Sequence, residues 1–230
     1  MNYDVIIVGA GPGGIFSAYE LVRQDNRLKI AVFEAGVPLK DRHCPIDGKK
    51  VKSCIKCKTC AIMNGFGGAG AFSDGKYNIT NDFGGTLYEY IGKEQALDLM
   101  RYVDDINTSH GGGKTRMYST AGTQFKKVCL QNKLKLLDAS VRHLGTDINY
   151  VVLEQLYEEL KDKVDFYFNT PIDSLECTDN GYRAHYGEHS ADCEKCIVSV
   201  GRSGSKWMEK ICHELDIPTR SNRVDIGVRV

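Results

Sequence analysis

The chain opens on a strand-sized apolar run, Asp4 to Val8, which glycines end; this is the pattern of a buried parallel strand. Ile15, Ala18, Tyr19, Leu21 and Val22 then recur at helical spacing, so the intervening glycines mark a strand-to-helix turn. A second run, Lys29 to Phe33, ends in Glu34, which places a carboxylate at the tip of the second strand. Periodicity fades from Gly36 to about Gly85, where Gly, Lys, Cys, Asp and Asn dominate, and a long ordered excursion without regular secondary structure is expected. Leu97, Met100, Val103 and Ile106 share the face of a helix from Lys93 to about Ile106, and strand-like text follows from Lys135 to Leu144. Thr146 or Asp147 is positioned to cap a helix reaching Lys161, with Val151, Val152, Leu156, Tyr157 and Leu160 on its apolar face. Short strands are expected over Val164–Phe168, Ile172–Cys177, Tyr182–Tyr186 and Cys196–Val200, then a helix from Lys206 to Leu215 and an alternating, strand-like stretch from Val224 to Val230.

Within this pattern the sharpest motif is Gly9-Ala10-Gly11-Pro12-Gly13-Gly14, a GxGxxG between a strand and a helix. Gly9 permits the tight turn, Gly11 lets a pyrophosphate approach the backbone, and Gly14 allows close helix–sheet packing. The helix start with Pro12 offers free amides and partial positive charge to phosphates. Glu34 follows Gly14 by 20 residues, the position from which a carboxylate accepts hydrogen bonds from ribose hydroxyls and disfavours a 2′-phosphate, and so NADP. These residues alone leave FAD and NAD open.

Composition narrows the partners. The 230 residues carry 30 Lys+Arg against 30 Asp+Glu, and this balance gives no reason to expect nucleic acid or an acidic membrane surface. No apolar run approaches the ~20 residues of a membrane span, and the MNYD start lacks a basic region or a small-residue cleavage site, so a cytoplasmic location is expected. Nine cysteines in that setting read as reduced thiols, metal ligands or redox groups rather than a disulfide framework. Cys44, Cys54, Cys57 and Cys60 crowd into one window as Cys-Pro followed by CxxCxxC. Four thiolates at this spacing suit an iron–sulfur cluster or a tetrahedral zinc, a redox dithiol passing electrons to a flavin is a further option, and unliganded cysteines are the bland one. Cys193-Glu194-Lys195-Cys196 is a lone CxxC expected at a strand start and read as structural, as are Cys129, Cys177 and Cys212. Gly111-Gly112-Gly113-Lys114-Thr115 imitates the end of a P-loop, but Thr108 stands where the first glycine is required and a helix precedes it, so it is rejected. His143, beside Gly145-Thr146-Asp147, reads as a structural histidine.

Two further segments carry a resemblance. Phe66-Gly67-Gly68-Ala69-Gly70-Ala71-Phe72-Ser73-Asp74-Gly75-Lys76 and Ile197-Val198-Ser199-Val200-Gly201-Arg202-Ser203-Gly204, together with EAGVPLKDRHCPID and HLGTDIN, are similar to segments of uncharacterised FAD-dependent dehydrogenases of the two-domain glutathione-reductase-like superfamily. The resemblance spans essentially the whole chain. It implies that Arg42 lies near the pyrophosphate, that Gly67, Gly68, Ala69, Gly70, Ser73 and Asp74 lie against the flavin ring, and that Gly201 and Arg202 sit by the adenine half. Full-length members of that superfamily carry a later substrate-domain sheet and a C-terminal Gly-Asp motif, so this chain is expected to correspond to an N-terminal half that a C-terminal half would complete.

The expected fold is therefore α/β, a Rossmann-like FAD/NAD(P)-binding domain with a parallel central sheet, an inserted Gly/Cys-rich segment and the start of a second, substrate domain. Its expected organisation is 1–85 and 146–220 as the two parts of the FAD-binding domain, 86–145 as an inserted cap or substrate-domain segment, and 221–230 as the start of a substrate-domain strand. The expected function is a FAD-dependent oxidoreductase acting on a small-molecule or protein redox substrate, with no catalytic acid or base assignable. The competing expectations are a non-enzymatic redox or metal sensor on the same fold, and an incomplete fragment without independent activity.

Overall fold

The computed structural model describes residues 1–221. In chain order the elements are β1 (Asn2–Val8), α1 (Pro12–Gln24), β2 (Ile30–Phe33), β3 (Lys76–Ile79), α2 (Tyr88–Ile91), α3 (Lys93–Ser109), β4 (Met117–Ser119), α4 (Phe125–Gln131), β5 (Ser140–His143), α5 (Gly145–Leu160), β6 (Asp165–Tyr167), β7 (Ser174–Thr178), β8 (Gly181–Tyr186), β9 (His189–Val198) and α6 (Ser205–Glu214). The strand expected over Val224–Val230 lies outside the described residues.

The continuous apolar runs of β1 and β2 have one physical solution, burial on both faces of a sheet. They sit in a six-stranded sheet of order β6-β2-β1-β9-β8-β7, parallel from β6 to β9 and antiparallel beyond, which gives the expected α/β architecture with a mostly parallel centre. On one face Val5, Ile7, Ile30 and Val32 pack against Ile15, Ala18, Tyr19 and Val22 of α1 and Val152, Leu156 and Leu160 of α5. On the other, Ile6, Val8, Ala31 and Phe33 meet Leu175, Ala184 and Ile211. Each large side chain so buried contributes about 1.5–3 kcal/mol, and the two layers fix the strand tips from which the glycine turn and Glu34 emerge.

The alternation along β1 slips once. The amides of Asp4 and Val5 both donate to the Lys29 carbonyl, at 2.9 and 3.2 Å, the signature of a bulge. Tyr3, Ile6 and Val8 consequently share one face while Val5 and Ile7 share the other. Its neighbour β9 stays in register from Asn2↔Asp192 to Val8↔Val198 and slips alongside, so Cys193 and Cys196, three residues apart, pack on the same face. This corrects the expectation that the CxxC opens a strand: it lies within β9, whose pairing with β8 begins at His189. The two thiols interact, Cys196 holding the Cys193 thiol below its ordinary pKa while its own is pushed up.

A second, three-stranded antiparallel sheet of order β3-β5-β4 lies beside α3. The expected excursion from Gly36 to Gly85 thus ends in a strand, β3, whose partner comes much later in the chain. The expected strand Lys135–Leu144 shortens to β5, and neither β4 nor α4 has a counterpart in the sequence reading, being too short to display a period. A buried ion pair ties this sheet to α3: the Asp104 carboxylate accepts from Arg142 Nε and Nη2 at 2.6 and 2.8 Å, and Arg142 Nη1 donates to the Thr115 carbonyl. α3 is held to α1 by Tyr102, whose hydroxyl donates to Glu20 and accepts from Arg23. Among the described residues no helix is long and apolar enough to cross a membrane.

The Asp104–Arg142 pair yields a stability prediction. Asp104→Ala strands a buried guanidinium and should cost about 3–5 kcal/mol, read as a lowered urea midpoint with an unchanged slope; an unaltered midpoint contradicts the role given to the pair.

Candidate functional site: a cleft at the glycine turn

β1 ends at Val8, and the chain turns through Gly9 and Ala10 into α1, whose N-cap is Gly11 and whose first residue is Pro12. Proline is at home there, since its missing N–H has no partner in a first helical turn. No side chain caps this helix start, so its amides point into the space ahead of it, where an anion is their natural partner. Gly14 is needed for a steric reason: a Cβ there would collide with the Gly9 carbonyl oxygen and crowd the Ser199 hydroxyl. Gly11 differs, because a Cβ at this position would have only the Gly68 Cα within 4 Å, at 3.9 Å. Its missing side chain therefore keeps the cleft open rather than relieving a clash within the protein.

Opposite α1 lies the glycine segment. Gly67 and Gly68 adopt the left-handed region, with φ of 85° and 54°, and lead into a short 3₁₀ turn, Gly68–Phe72. Its backbone runs against the helix start so closely that a Cβ on Gly68 would stand 3.0 Å from the Gly11 Cα. The Gly67 amide donates to the Ala10 carbonyl at 2.8 Å. Asn149 of α5, fully buried, anchors the far end by donating to the Gly70 carbonyl while accepting from the Tyr77 hydroxyl.

Two buried charges organise this region. Glu34 Oε1 accepts from the Gly36 and Gly65 amides and Oε2 from the Ala10 amide, all at 2.8 Å. Arg42 donates to four carbonyls: Nε to Ala61, Nη1 to Phe66 and Gly68, and Nη2 to Ile62, at 2.7–2.9 Å. Burial pushes the guanidinium down to about 10, with Glu34 and Cys60 pulling the other way. The resemblance places Arg42 near a pyrophosphate; its contacts here are different, four of its five N–H groups being directed at main-chain oxygens. It shapes the glycine segment from behind.

Gly11, Pro12, Gly13, Glu34, Gly68, Ala69, Gly70, Gly201 and Arg202 all border one cleft of about 600 Å³. Gly9 borders an adjoining apolar pocket of about 470 Å³ formed by Phe33, Ala35, Ile172, Val200 and Trp207. Met63, Asn64, Val200 and Ser203 belong to both walls, so the two spaces are immediate neighbours. The Ser203 hydroxyl donates to Asn64 Oδ1 at 2.7 Å, joining the segment after β9 to the segment before the glycines. Ser73 and Asp74, expected beside a flavin ring, lie outside the cleft. Ser73 Oγ accepts from the Gly75 amide, and the exposed Asp74 carboxylate pairs with Lys76, which holds it below the usual carboxylate range. The sequence reading missed Asn64, Ile172, Trp207 and Asn149; only the last stood within a quoted motif, HLGTDIN.

The four clustered cysteines are not brought together. Among the described residues no three His, Cys, Asp or Glu side chains converge as a metal-holding group, and Cys44, Cys54, Cys57 and Cys60 are free thiols. Cys54 is turned into its own loop, its sulfur accepting from the Lys56 amide at 3.4 Å, whereas Cys57 and Cys60 border the apolar pocket. The iron–sulfur or zinc centre suggested by their spacing therefore does not fit this arrangement. A larger cavity of about 860 Å³ lies between α3 and the small sheet, but in its lining Asp82, Asp104, Asp105 and Asp138 outnumber Lys93 and Arg101, a balance that disfavours a phosphate.

The sequence matches no protein-family model and no curated protein. The fold does have solved counterparts. Glycine oxidase from Geobacillus kaustophilus superposes with a TM-score of 0.53 at 14% identity, over 94% of this chain and 58% of that one. Glycine oxidase from Bacillus cereus gives 0.50 at 13% identity, over 94% and 58%. At such identities the likeness is one of fold. The chain spans a little over half the length of these structures.

The anchoring of the glycine segment is open to test. Arg42→Met should cost at least about 3 kcal/mol, since it leaves four carbonyls without their donor and Glu34 without its counter-charge. It should also accelerate amide exchange over residues 61–70 more than elsewhere; exchange that is unchanged there contradicts the clamp.

Proposed function

We propose that the chain carries the dinucleotide-binding part of a FAD-dependent oxidoreductase. The observation that carries this reading is the set of chemistries in two adjoining spaces: an apolar pocket in one, and a carboxylate with an uncapped helix start in the other. An adenine ring matches the first, ribose hydroxyls the second and a pyrophosphate the third. The residues fit such a ligand. Glu34 accepts three amides with its two oxygens, and a carboxylate has about four acceptor positions, leaving room for a ribose hydroxyl. The apolar pocket presents Phe33, Ile172, Val200 and Trp207, surfaces suited to a flat heteroaromatic ring.

FAD rather than NAD is favoured by the resemblance of the Phe66–Lys76 and Ile197–Gly204 segments and by the fold shared with two oxidases. Bound flavin would supply the acceptor for an electron pair from substrate. This chain's own residues bind and orient: the helix start of α1 neutralises phosphate charge, Glu34 selects unphosphorylated ribose, and Arg42 with Asn149 holds the glycine segment where it closes the cleft.

Gly11→Ala separates ligand binding from folding, because the added methyl group meets nothing in the protein closer than 3.9 Å. It should leave thermal stability within about 1 kcal/mol while weakening FAD and ADP at least about ten-fold. Titration of the chain with FAD, followed by flavin fluorescence and by the bands near about 370 and 450 nm, measures this. Equal affinity in the variant, or no FAD binding by the unsubstituted chain, overturns the reading.

A further inference from the structure

We propose that Cys57 and Cys60 form a nucleotide-shielded thiol site, at which reversible thiol modification and occupancy of the cleft exclude one another. The inference rests on the nucleotide reading of the cleft. The four clustered cysteines divide by position: Cys57 and Cys60, with Lys58 and Thr59 between them, build one wall of the 470 Å³ apolar pocket, facing Phe33, Ile172 and Trp207, whereas Cys44 and Cys54 are not part of that wall. Cys57 is exposed and Cys60 half-buried, so the wall presents one thiol to solvent and one deeper.

The wall is joined to the rest of the cleft. The Cys60 carbonyl accepts from the Met63 and Asn64 amides, and Asn64 takes the Ser203 hydroxyl from the opposite side. Atoms added at Cys57 are therefore placed at the wall of the pocket that a base would fill. The chemistry is thiol–disulfide exchange with a low-molecular-weight disulfide. The Cys57 sulfur, having lost its proton to water, attacks one sulfur of the reagent; the reagent's S–S bond breaks, a protein–reagent S–S bond forms, and the other half leaves as a thiolate that recovers a proton. No further oxidant is required. Because the adduct is reversible, the coupling is reciprocal: a nucleotide that opposes the adduct is opposed by it to the same extent.

The test treats the full chain with oxidised glutathione, with and without ADP, and follows each cysteine by peptide mapping in a mass spectrometer. ADP binding is measured separately by equilibrium dialysis. Saturating ADP should slow modification of Cys57 and Cys60 at least about ten-fold while leaving Cys54 and Cys177 within about two-fold. Chain modified at Cys57 should bind ADP at least about ten-fold more weakly and recover on addition of dithiothreitol. In Cys57→Ser, ADP binding compared before and after glutathione treatment of that same variant should lose most of the sensitivity seen in the unsubstituted chain. ADP that binds without shielding Cys57 overturns this inference and leaves the cleft reading standing. Failure of ADP to bind the reduced chain overturns the cleft reading and the inference with it.

Discussion

The cleft depends on two buried charges working in opposite senses on the main chain. Residues 35–68 form no sheet or helix longer than a 3₁₀ turn, yet the chain passes through the interior beside α1, where an unpaired N–H or C=O is costly. Glu34 gathers amides from Ala10, Gly36 and Gly65, while Arg42 gathers carbonyls from Ala61, Ile62, Phe66 and Gly68. Together they do for an irregular segment what ladder hydrogen bonds do for a strand. Glu34 also opposes the effect of burial on the Arg42 guanidinium.

From that constraint the local geometry follows. With Gly65 and Gly68 held, the glycine segment has to cross the start of α1 at backbone contact, which requires glycine at position 68. Asn149 brings α5 into the same arrangement, and α5 is pressed on the sheet by Val152, Leu156 and Leu160. The cleft is thus coupled to the main core through one polar side chain and one helix. Cys57 and Cys60 border the apolar pocket that adjoins it.

Much of this was legible in the sequence. The strand–turn–helix–strand unit with Glu34 at its tip was readable because its signal is local: glycine spacing, helical period and an apolar run in direct succession. The helices α3 and α5 were readable for the same reason, their apolar faces repeating over several turns. What could not be read depends on partners remote in the chain. That Arg42 gathers the carbonyls of Ala61, Ile62, Phe66 and Gly68 depends on how a loop twenty residues further on folds back, which no local pattern shows. β3 is a strand only through β5, and the shared face of Cys193 and Cys196 exists only because a bulge at Asp4 and Val5 shifts the alternation of both neighbouring strands. The pairing of Asp74 with Lys76 is likewise a contact that no local pattern announces.

The central claim is that the Trp207 pocket and the adjoining cleft at Glu34 and the start of α1 together hold the adenosine diphosphate half of a dinucleotide. Hydrogen–deuterium exchange with and without saturating ADP tests it residue by residue. The account predicts that amides at 11–14, 34–36, 64–70 and 199–204 gain protection together, with the small sheet and α4 unaffected. Protection absent from those four stretches, or centred on the acidic cavity between α3 and β5, would contradict it.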